Sequence, residues 1–582
     1  MTQPTDDVVS ILRNAGVERG VPVGVAMAAG VGFGVAFGER RWSFPGHDPQ
    51  VAIAAIESDL RPRWTWWSQE TPALLTAAGV RVAACWDIAA VHRLLFGEWH
   101  ADPARTWAAL NGLSSTALPA DGQLDFLGSG VDDGNPESPV RADGHLRPDW
   151  VAGGWARSAD RLAAWAQVAL HACTLQQERL DELMVGGDAR ATARSESAAE
   201  ILCAELAYDG LPIDIARAEA VIASFVGPRP RNEREAVELR VRRDAAVLQH
   251  GPEGDTTDLR NPNQVRSLLM RMGIDVPNTR AWRLEELRTD HRVIDELLVW
   301  RKAERVATTY GYAWLDQHVS RRPTGGRLRG EWSGSDGAAG RMTAQAGLHN
   351  MPADMRVAVV AEPGHVLVRA DLGQIEPRVL AAVSNDAALA RATQDDDLYA
   401  PVAKRLGVER AVAKIAVLAA MYGQTSGTAG QALRGMEAAY PVAMQYLHAA
   451  AQSGREGRDV RTFGGRCIRM WQTPFGLNER DERATEASRG RYARNAMVQG
   501  AAAELFKAWA VTVRARSGPT QARIVLCLHD ELLLHVPIEN GDAAAALLDR
   551  CLQEAAHRWT NGGPVRFVAD VSIIHAWSEA KP

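Results

Sequence analysis

A chain of 582 residues exceeds what one hydrophobic core usually holds, so several domains are expected. With 46% hydrophobic and 23% charged residues it has a soluble globular composition, and its net charge of -6 excludes a uniformly basic nucleic-acid binder, leaving a local basic channel as the form such a surface would take. No apolar run reaches membrane-spanning length, Met1 is followed by polar and acidic residues, and six scattered cysteines without a C-x-x-C pair argue for reduced thiols and a cytoplasm.

Residues 1 to about 185 read as a small α/β domain. The apolar stretch 20–37, broken by five glycines, and Arg41–Phe44 read as paired strands, with helices predicted over 48–60, 70–78 and 87–96. Asp87 and Asp160 stand where helices start, a position that favours aspartate as a cap. Leu118–Trp150, rich in Gly, Pro, Asp and Ser, reads as a loop or linker. From 190 to about 320 the spacing turns helical, over 195–206, 214–225, 233–248, 263–272, 284–288 and 293–318. Arg229, Arg231, Arg234, Arg240, Arg242 and Arg243 could grip duplex phosphates, while the interleaved Glu233, Glu235, Glu238 and Asp244 fit a solvated face.

After a glycine-rich stretch over 325–355, Val366–Val368 forms an apolar strand that delivers Asp371 at its end. Ile375, Val379, Leu380 and Ala382 then recur at helical spacing, so Asp371 stands at a strand-to-helix junction, which is a metal-ligand position. Farther on, Arg410, Lys414, Leu418 and Tyr422 recur every four residues and make one stripe of a helix, as do Arg491, Asn495 and Gln499. Only five of the 65 basic residues are lysines, so a lysine at 414 suggests that its point charge or its proton matters there. Arg523–Val536 holds two apolar β runs around His529, Asp530 and Glu531, which reads as a hairpin tip because three polar residues between such runs must escape burial. Two strand-end acids far apart in sequence, Asp371 and Asp530, suggest one two-metal site.

Three of these stretches carry a resemblance. Asp371-Leu-Gly-Gln-Ile-Glu-Pro-Arg378 resembles motif A of the family A DNA polymerases, D-Y-S-Q-I-E-L-R; Arg410–Gly423 resembles their motif B; and His529-Asp-Glu531 resembles their motif C. Ala339–Thr343 is similar to the family's T-G-R-L-S, Gly347–Pro352 to its N-L-Q-N-I-P, and Arg491–Glu504 to its R-x-x-x-N-x-x-x-Q-G-T-A-A-D. The resemblance extends from about Glu200 to the end. It implies an α/β and α+β multidomain chain: a ribonuclease-H-like, exonuclease-type domain over 1–185, then a right-hand polymerase with thumb 186–335, palm 336–385, fingers 386–499 and a second part of the palm 500–582.

The function so implied is DNA-templated addition of dNTPs to a primer 3′ end. Asp371, Asp530 and the carbonyl of Leu372 would hold two Mg²⁺ ions, with Mn²⁺ as a substitute and Glu531 in support. Arg410 and Lys414 would clamp the triphosphate, with Lys414 also a proton donor to the leaving pyrophosphate. Tyr422 would lie near the templating base, and Leu418 stands where an aromatic residue would face the sugar. Glu376 would crowd the ribose 2′ position, and Gln374 and His529 would complete the nucleotide-binding set. Arg341, Asn350, Arg491, Asn495 and Gln499 would contact primer-template DNA.

The family's 3′-5′ exonuclease needs about four acids, beginning with an Asp-x-Glu on the first strand. Gly24–Phe37 contains no acid, Ser68–Pro72 and Ala166–Leu170 lack the later ones, and Glu57-Ser-Asp59 reverses the order within a helical pattern. An exonuclease-like fold without proofreading is therefore expected. A single-subunit RNA polymerase and a catalytically weak DNA-binding scaffold are the alternatives, and Glu376 argues against the first. A monomer without membrane contact or 5′ nuclease domain, cytoplasmic and nucleoid-associated, completes the expectation.

Overall fold

The structure is a computed structural model that describes residues 5–114, 135–322, 325–423, 428–474 and 478–580. Much of the predicted linker, residues 118–134, lies outside the described residues. The chain divides into two compact units, one formed by residues 1–209, 331–343 and 368–573 and the other by 210–330, 344–367 and 574–582. Its elements are a mixture of helices and strands.

The first unit begins with a five-stranded sheet ordered β3-β2-β1-β4-β5, in which β1 is Pro22–Ala28, β2 Gly32–Phe37, β3 Arg40–Pro45, β4 Arg63–Trp66 and β5 Cys85–Asp87. The first three strands form an antiparallel meander, and β4 and β5 continue the sheet in parallel. Asp87 is buried and caps the helix Ile88–Phe96 by accepting from the Ala90 N–H at 2.9 Å, which is the helix-start role its position predicts.

The helix expected to start at Asp160, α1 (Ala159–Asp181), packs on β1 and β2. Ser158 rather than Asp160 caps it, the Ser158 hydroxyl accepting from the Arg161 N–H at 3.2 Å, while Asp160 accepts from the Ser43 hydroxyl at 2.6 Å. The apolar residues of α1 run nearly all round from Leu162 to Leu170, leaving no polar stripe to mark a period of 3.6. The glycines of the sheet explain how it sits so close. A Cβ on Gly24 would lie 2.2 Å from the carbonyl oxygen of Ala166, and one on Gly34 would lie 2.1 Å from the amide nitrogen of Ala163.

A second sheet in this unit holds the strand-end acids. Following β6 (Trp332–Asp336) and β7 (Arg341–Ala344), its strands are β8 (His365–Leu372), β9 (Arg523–Leu528), β10 (Glu531–Pro537) and β11 (Ala569–Ile574), ordered β9-β10-β8-β11. The surrounding helices are α2 (Ala189–Asp209), α3 (Ile375–Ser384), α4 (Arg410–Tyr422), α5 (Pro441–Arg455), α6 (Glu479–Arg516) and α7 (Gly541–Trp559). Lys507 of α6 is fully buried: its Nζ donates to Glu196 of α2 at 2.6 Å and to the carbonyls of Gly334 and Gly340 at 3.2 and 2.7 Å. Such a charge is tolerable in the interior only because every donor has a partner. The expected fingers-to-palm limit at 499/500 falls inside α6, which runs unbroken for 38 residues.

The second unit pairs Leu211–Ile213, Gly325–Leu328 and Val319–Arg322 in a small antiparallel sheet beside a helical core of Val265, Leu268, Leu269, Ile294, Leu297 and Trp300. The single helix predicted over 293–318 is two, Arg292–Thr309 and Tyr312–His318. The break falls at Gly311, which precedes the second helix in an extended conformation, and Tyr310 beside it is fully buried with its hydroxyl donating to the Gly347 carbonyl at 3.0 Å. Among the described residues no helix is long and apolar enough to cross a membrane.

Candidate active site

Strand β8 ends at Leu372, whose N–H donates to the carbonyl of Asp530 at 2.9 Å, so the end of β8 and the tip of the β9–β10 hairpin are tied together. Leu528 pairs with Glu531, leaving His529 and Asp530 as a two-residue turn. His529 adopts a φ of 50°, the left-handed conformation that such a turn requires. Asp371 and Asp530, 159 residues apart in sequence, thus come to one place, and the hydrogen bond between their neighbouring backbones is the reason.

The electrostatics follow from this crowding. The Asp371 carboxyl is pushed up to about 6, first by burial and then by the charge of Asp530. Asp530 is also raised, by burial and by Glu531 and Glu376. Two partly buried carboxylates whose ionisation is disfavoured by burial and by neighbouring acids offer hard oxygen donors, the kind that suits Mg²⁺ or Mn²⁺. His529 is lowered by desolvation and by Arg341, so it is neutral near pH 7.

Glu376, in the first turn of α3, is held on both oxygens. Arg341 Nη2 donates to Oε1 at 2.9 Å and the Tyr422 hydroxyl to Oε2 at 2.9 Å. The Tyr422 phenol is accordingly raised to about 12 by burial and by that carboxylate. Gln374 takes a left-handed φ of 55° just before α3; its amide donates to Asp397 Oδ1 at 2.9 Å and its oxygen accepts the Leu398 N–H at 2.8 Å. Arg378 is fully buried and donates to the carbonyls of Gly373, Thr393, Asp395, Asp396 and Arg566, which pins the turn after Asp371.

On α4, Arg410 pairs with Asp397, Nε to Oδ2 at 2.5 Å, and lies 5.7 Å from the Tyr399 ring. Lys414 is exposed and makes no ion pair among the described residues. Leu418 lines a pocket of about 180 Å³ together with Arg341, Gln374, Glu376, Tyr399, His529 and Asp530. On α6, Arg491 is exposed, Gln499 neighbours the Tyr422 hydroxyl, and Asn495 has a buried Oδ1 with no hydrogen-bond partner among the described residues. Asn350 belongs to the second unit, where its carbonyl accepts from Arg305 at 2.9 Å. Of the six arginines proposed to grip phosphates, Arg229, Arg231, Arg234 and Arg243 are paired with acids, as on a solvated face.

Two residues to which the sequence reading gave no role stand out: Asp397, within a stretch (395–399) that resembles the family's H-x-x-D-x-H/Y entry to the fingers, and Arg369. Asp397 bridges Gln374 and Arg410, and Arg369 on β8 bridges Asp371 and Glu531. The signal for Arg369 was present: a charged residue in an apolar strand, two positions before Asp371, must share its face.

Residues 249–579 match the family model for DNA polymerase family A. The chain belongs to that family. It is 33% identical over 298 residues to DNA polymerase I of Chloroflexus aurantiacus, which is 46% of this chain and 30% of that protein. It is 30% identical over 333 residues to the thermostable DNA polymerase I of Thermus thermophilus, 52% of this chain and 38% of that one. The matched stretch therefore spans about a third of the length of these relatives. A solved structure, the POL domain of Pol1 from M. smegmatis in complex with DNA primer-template and dNTP, aligns over 99% of both chains with a TM-score of 0.67 at 19% identity, a likeness of fold.

Proposed function

We propose that this family A member is a DNA-directed DNA polymerase that adds dNTPs to the 3′ end of a primer on a DNA template. The observation that carries the reading is the bond between Leu372 and the carbonyl of Asp530, which brings two raised carboxylates and a strand-end carbonyl into one hard-oxygen site. Asp371, Asp530 and the Leu372 carbonyl would hold two divalent cations, Mg²⁺ with Mn²⁺ as substitute. When bound, such a pair activates the 3′-hydroxyl and neutralises charge on the triphosphate.

The chain's own residues do the rest. Lys414, exposed and without an ion pair among the described residues, and Arg410 are available to the β- and γ-phosphates, Arg410 on leaving Asp397; Lys414 can pass a proton to the departing pyrophosphate. Glu376, locked by Arg341 and Tyr422, presents a fixed carboxylate against the ribose edge and rejects a 2′-hydroxyl. Leu418 and His529 line the sugar pocket, Gln374 steadies its floor, and Glu531 supports the acids. Arg341, Asn350, Arg491, Asn495 and Gln499 are assigned to the primer-template.

The amino-terminal sheet is read as an exonuclease-type domain without proofreading. Its first strand carries no acid to begin the set of carboxylates that such chemistry needs. A cytoplasmic, nucleoid-associated monomer is the form proposed for the working protein. Primer extension with Mg²⁺, comparing dNTPs with rNTPs, tests the reading: dNTP-dependent extension supports it, rNTP preference would make the chain an RNA polymerase, and no extension would leave a DNA-binding scaffold.

A further inference from the structure

Arg369 lies on β8 with its side chain on the same face as Asp371 and is only 6% exposed. Its Nη2 donates to Asp371 Oδ2 at 2.7 Å and to Glu531 Oε2 at 3.4 Å, and its Nε lies 3.1 Å from Glu531 Oε1 in an ion pair without the alignment of a hydrogen bond. Asp570, on the neighbouring strand β11, adds to the negative field around it. A guanidinium has five donors in a rigid fork and does not deprotonate, so it is a permanent charge at this spot. Burying it here is favourable only because two acids face it.

We propose that Arg369 is the resident cation of the acidic site, a positioning residue that holds Asp371 and Glu531 in place and sets how tightly a divalent cation is bound. The inference rests on the two-metal reading given above. Without a cation, Asp371, Asp530 and Glu531 repel one another; Arg369 offsets that repulsion and keeps the carboxylates assembled. The same charge opposes an incoming divalent ion and occupies one oxygen of Asp371, so cation binding has to draw that oxygen away from the guanidinium. Arg369 therefore weakens metal affinity while preserving the shape of the site. A purely structural ion pair would act in the opposite sense, since its loss would slacken the carboxylates and weaken metal binding.

Mn²⁺ titration followed by electron paramagnetic resonance separates these roles without any turnover. Arg369→Gln and Arg369→Ser remove the charge, and Arg369→Lys keeps it. The neutral variants, checked for folding by circular dichroism, should bind Mn²⁺ about tenfold tighter than wild type, with Arg369→Lys within about threefold of wild type, because a like charge at this range in a partly buried site is worth on the order of one logarithmic unit. In primer extension the half-saturating Mg²⁺ concentration should fall in parallel. Unchanged or weaker Mn²⁺ binding in folded neutral variants would overturn the proposal, as would failure of both neutral variants to fold, which would assign Arg369 to structure alone. Wild-type protein that binds no Mn²⁺ would instead refute the two-metal reading itself.

Discussion

The Tyr422 hydroxyl donates to Glu376 Oε2 at 2.9 Å, joining the last residue of α4 to the first turn of α3 across 46 positions of sequence. Arg341 holds the other oxygen, so the carboxylate cannot turn without breaking a hydrogen bond. If Glu376 is the group that excludes a 2′-hydroxyl, its rigidity is part of the selectivity. Tyr422→Phe is expected to keep dNTP turnover within about threefold and to raise relative ribonucleotide incorporation roughly tenfold, the equivalent of the ~1.5 kcal/mol that a hydrogen bond to a charged group contributes. Single-turnover rates with dCTP and CTP opposite the same template base would measure it. An unchanged ratio would mean that Arg341 alone fixes the carboxylate.

Asp371→Ala and Asp530→Ala should each abolish primer extension while leaving affinity for primer-template largely intact, because each removes one of the two carboxylates proposed to hold the cations. A first-contact metal ligand contributes far more than tenfold, so extension within roughly tenfold of wild type by either variant would sink the assignment. Fluorescence anisotropy with a labelled primer-template checks the binding half of the prediction.

Proofreading should be absent. The expectation rests on β1, Pro22–Ala28, which carries no carboxylate to begin a two-cation donor set. A labelled primer with a mismatched 3′ end, incubated with Mg²⁺ and no nucleotides, should stay full length. Progressive shortening that persists after further purification would show that the acids lie elsewhere in the domain.

Leu418 lines the same pocket as Glu376, Tyr399 and His529, the pocket proposed to receive the sugar of a nucleotide. An aromatic side chain there would add a flat contact surface. Leu418→Tyr is expected to lower the Michaelis constant for dNTPs several-fold and to raise dideoxynucleotide incorporation, since an aromatic contact contributes on the order of 1 kcal/mol. Ribonucleotide rejection should hardly change, because Glu376 acts on another edge of the sugar. Steady-state kinetics that leave both the dNTP and the dideoxynucleotide parameters untouched would show that residue 418 does not face the nucleotide.

Glu504 of α6 is buried and its carboxyl is pushed up to about 7, burial outweighing hydrogen bonds from Thr462 and the Gly464 N–H and the field of Arg466. Its ordinary value is 4.5, so between about 4.5 and 7 the folded chain keeps a proton that the unfolded chain has lost. The sign is then negative: stability falls as pH rises through this window, with the cost fully present above it. Glu504→Gln should raise the melting temperature at pH 8 by roughly 2 °C and leave it nearly unchanged at pH 5, narrowing the gap between the two. Calorimetry at both pH values would check this, and a gap as wide as in wild type would locate the proton on another buried acid, such as Asp87, which is also raised to about 7.

The family, the strand ends that carry Asp371 and Asp530, the hairpin tip at His529 and the stripe Arg410–Tyr422 were all legible in the sequence. Each is a local pattern: an apolar run with period two, a stripe with period near four, or a short string of chemically distinctive residues. The tertiary structure alone decided the partners. Lys507 meets Glu196 across 311 positions, Arg369 meets Glu531 across 162, and Tyr422 meets Glu376 across 46. Of helix α1 the sequence showed a start near Asp160 but no extent, because its residues from Leu162 to Leu170 are apolar nearly all round and the pattern that marks a helix is the contrast between a wet face and a dry one. A side chain's period follows from the backbone geometry of its own element. Which group satisfies a buried charge depends on which elements pack together, and that is settled only when distant segments have excluded water between them.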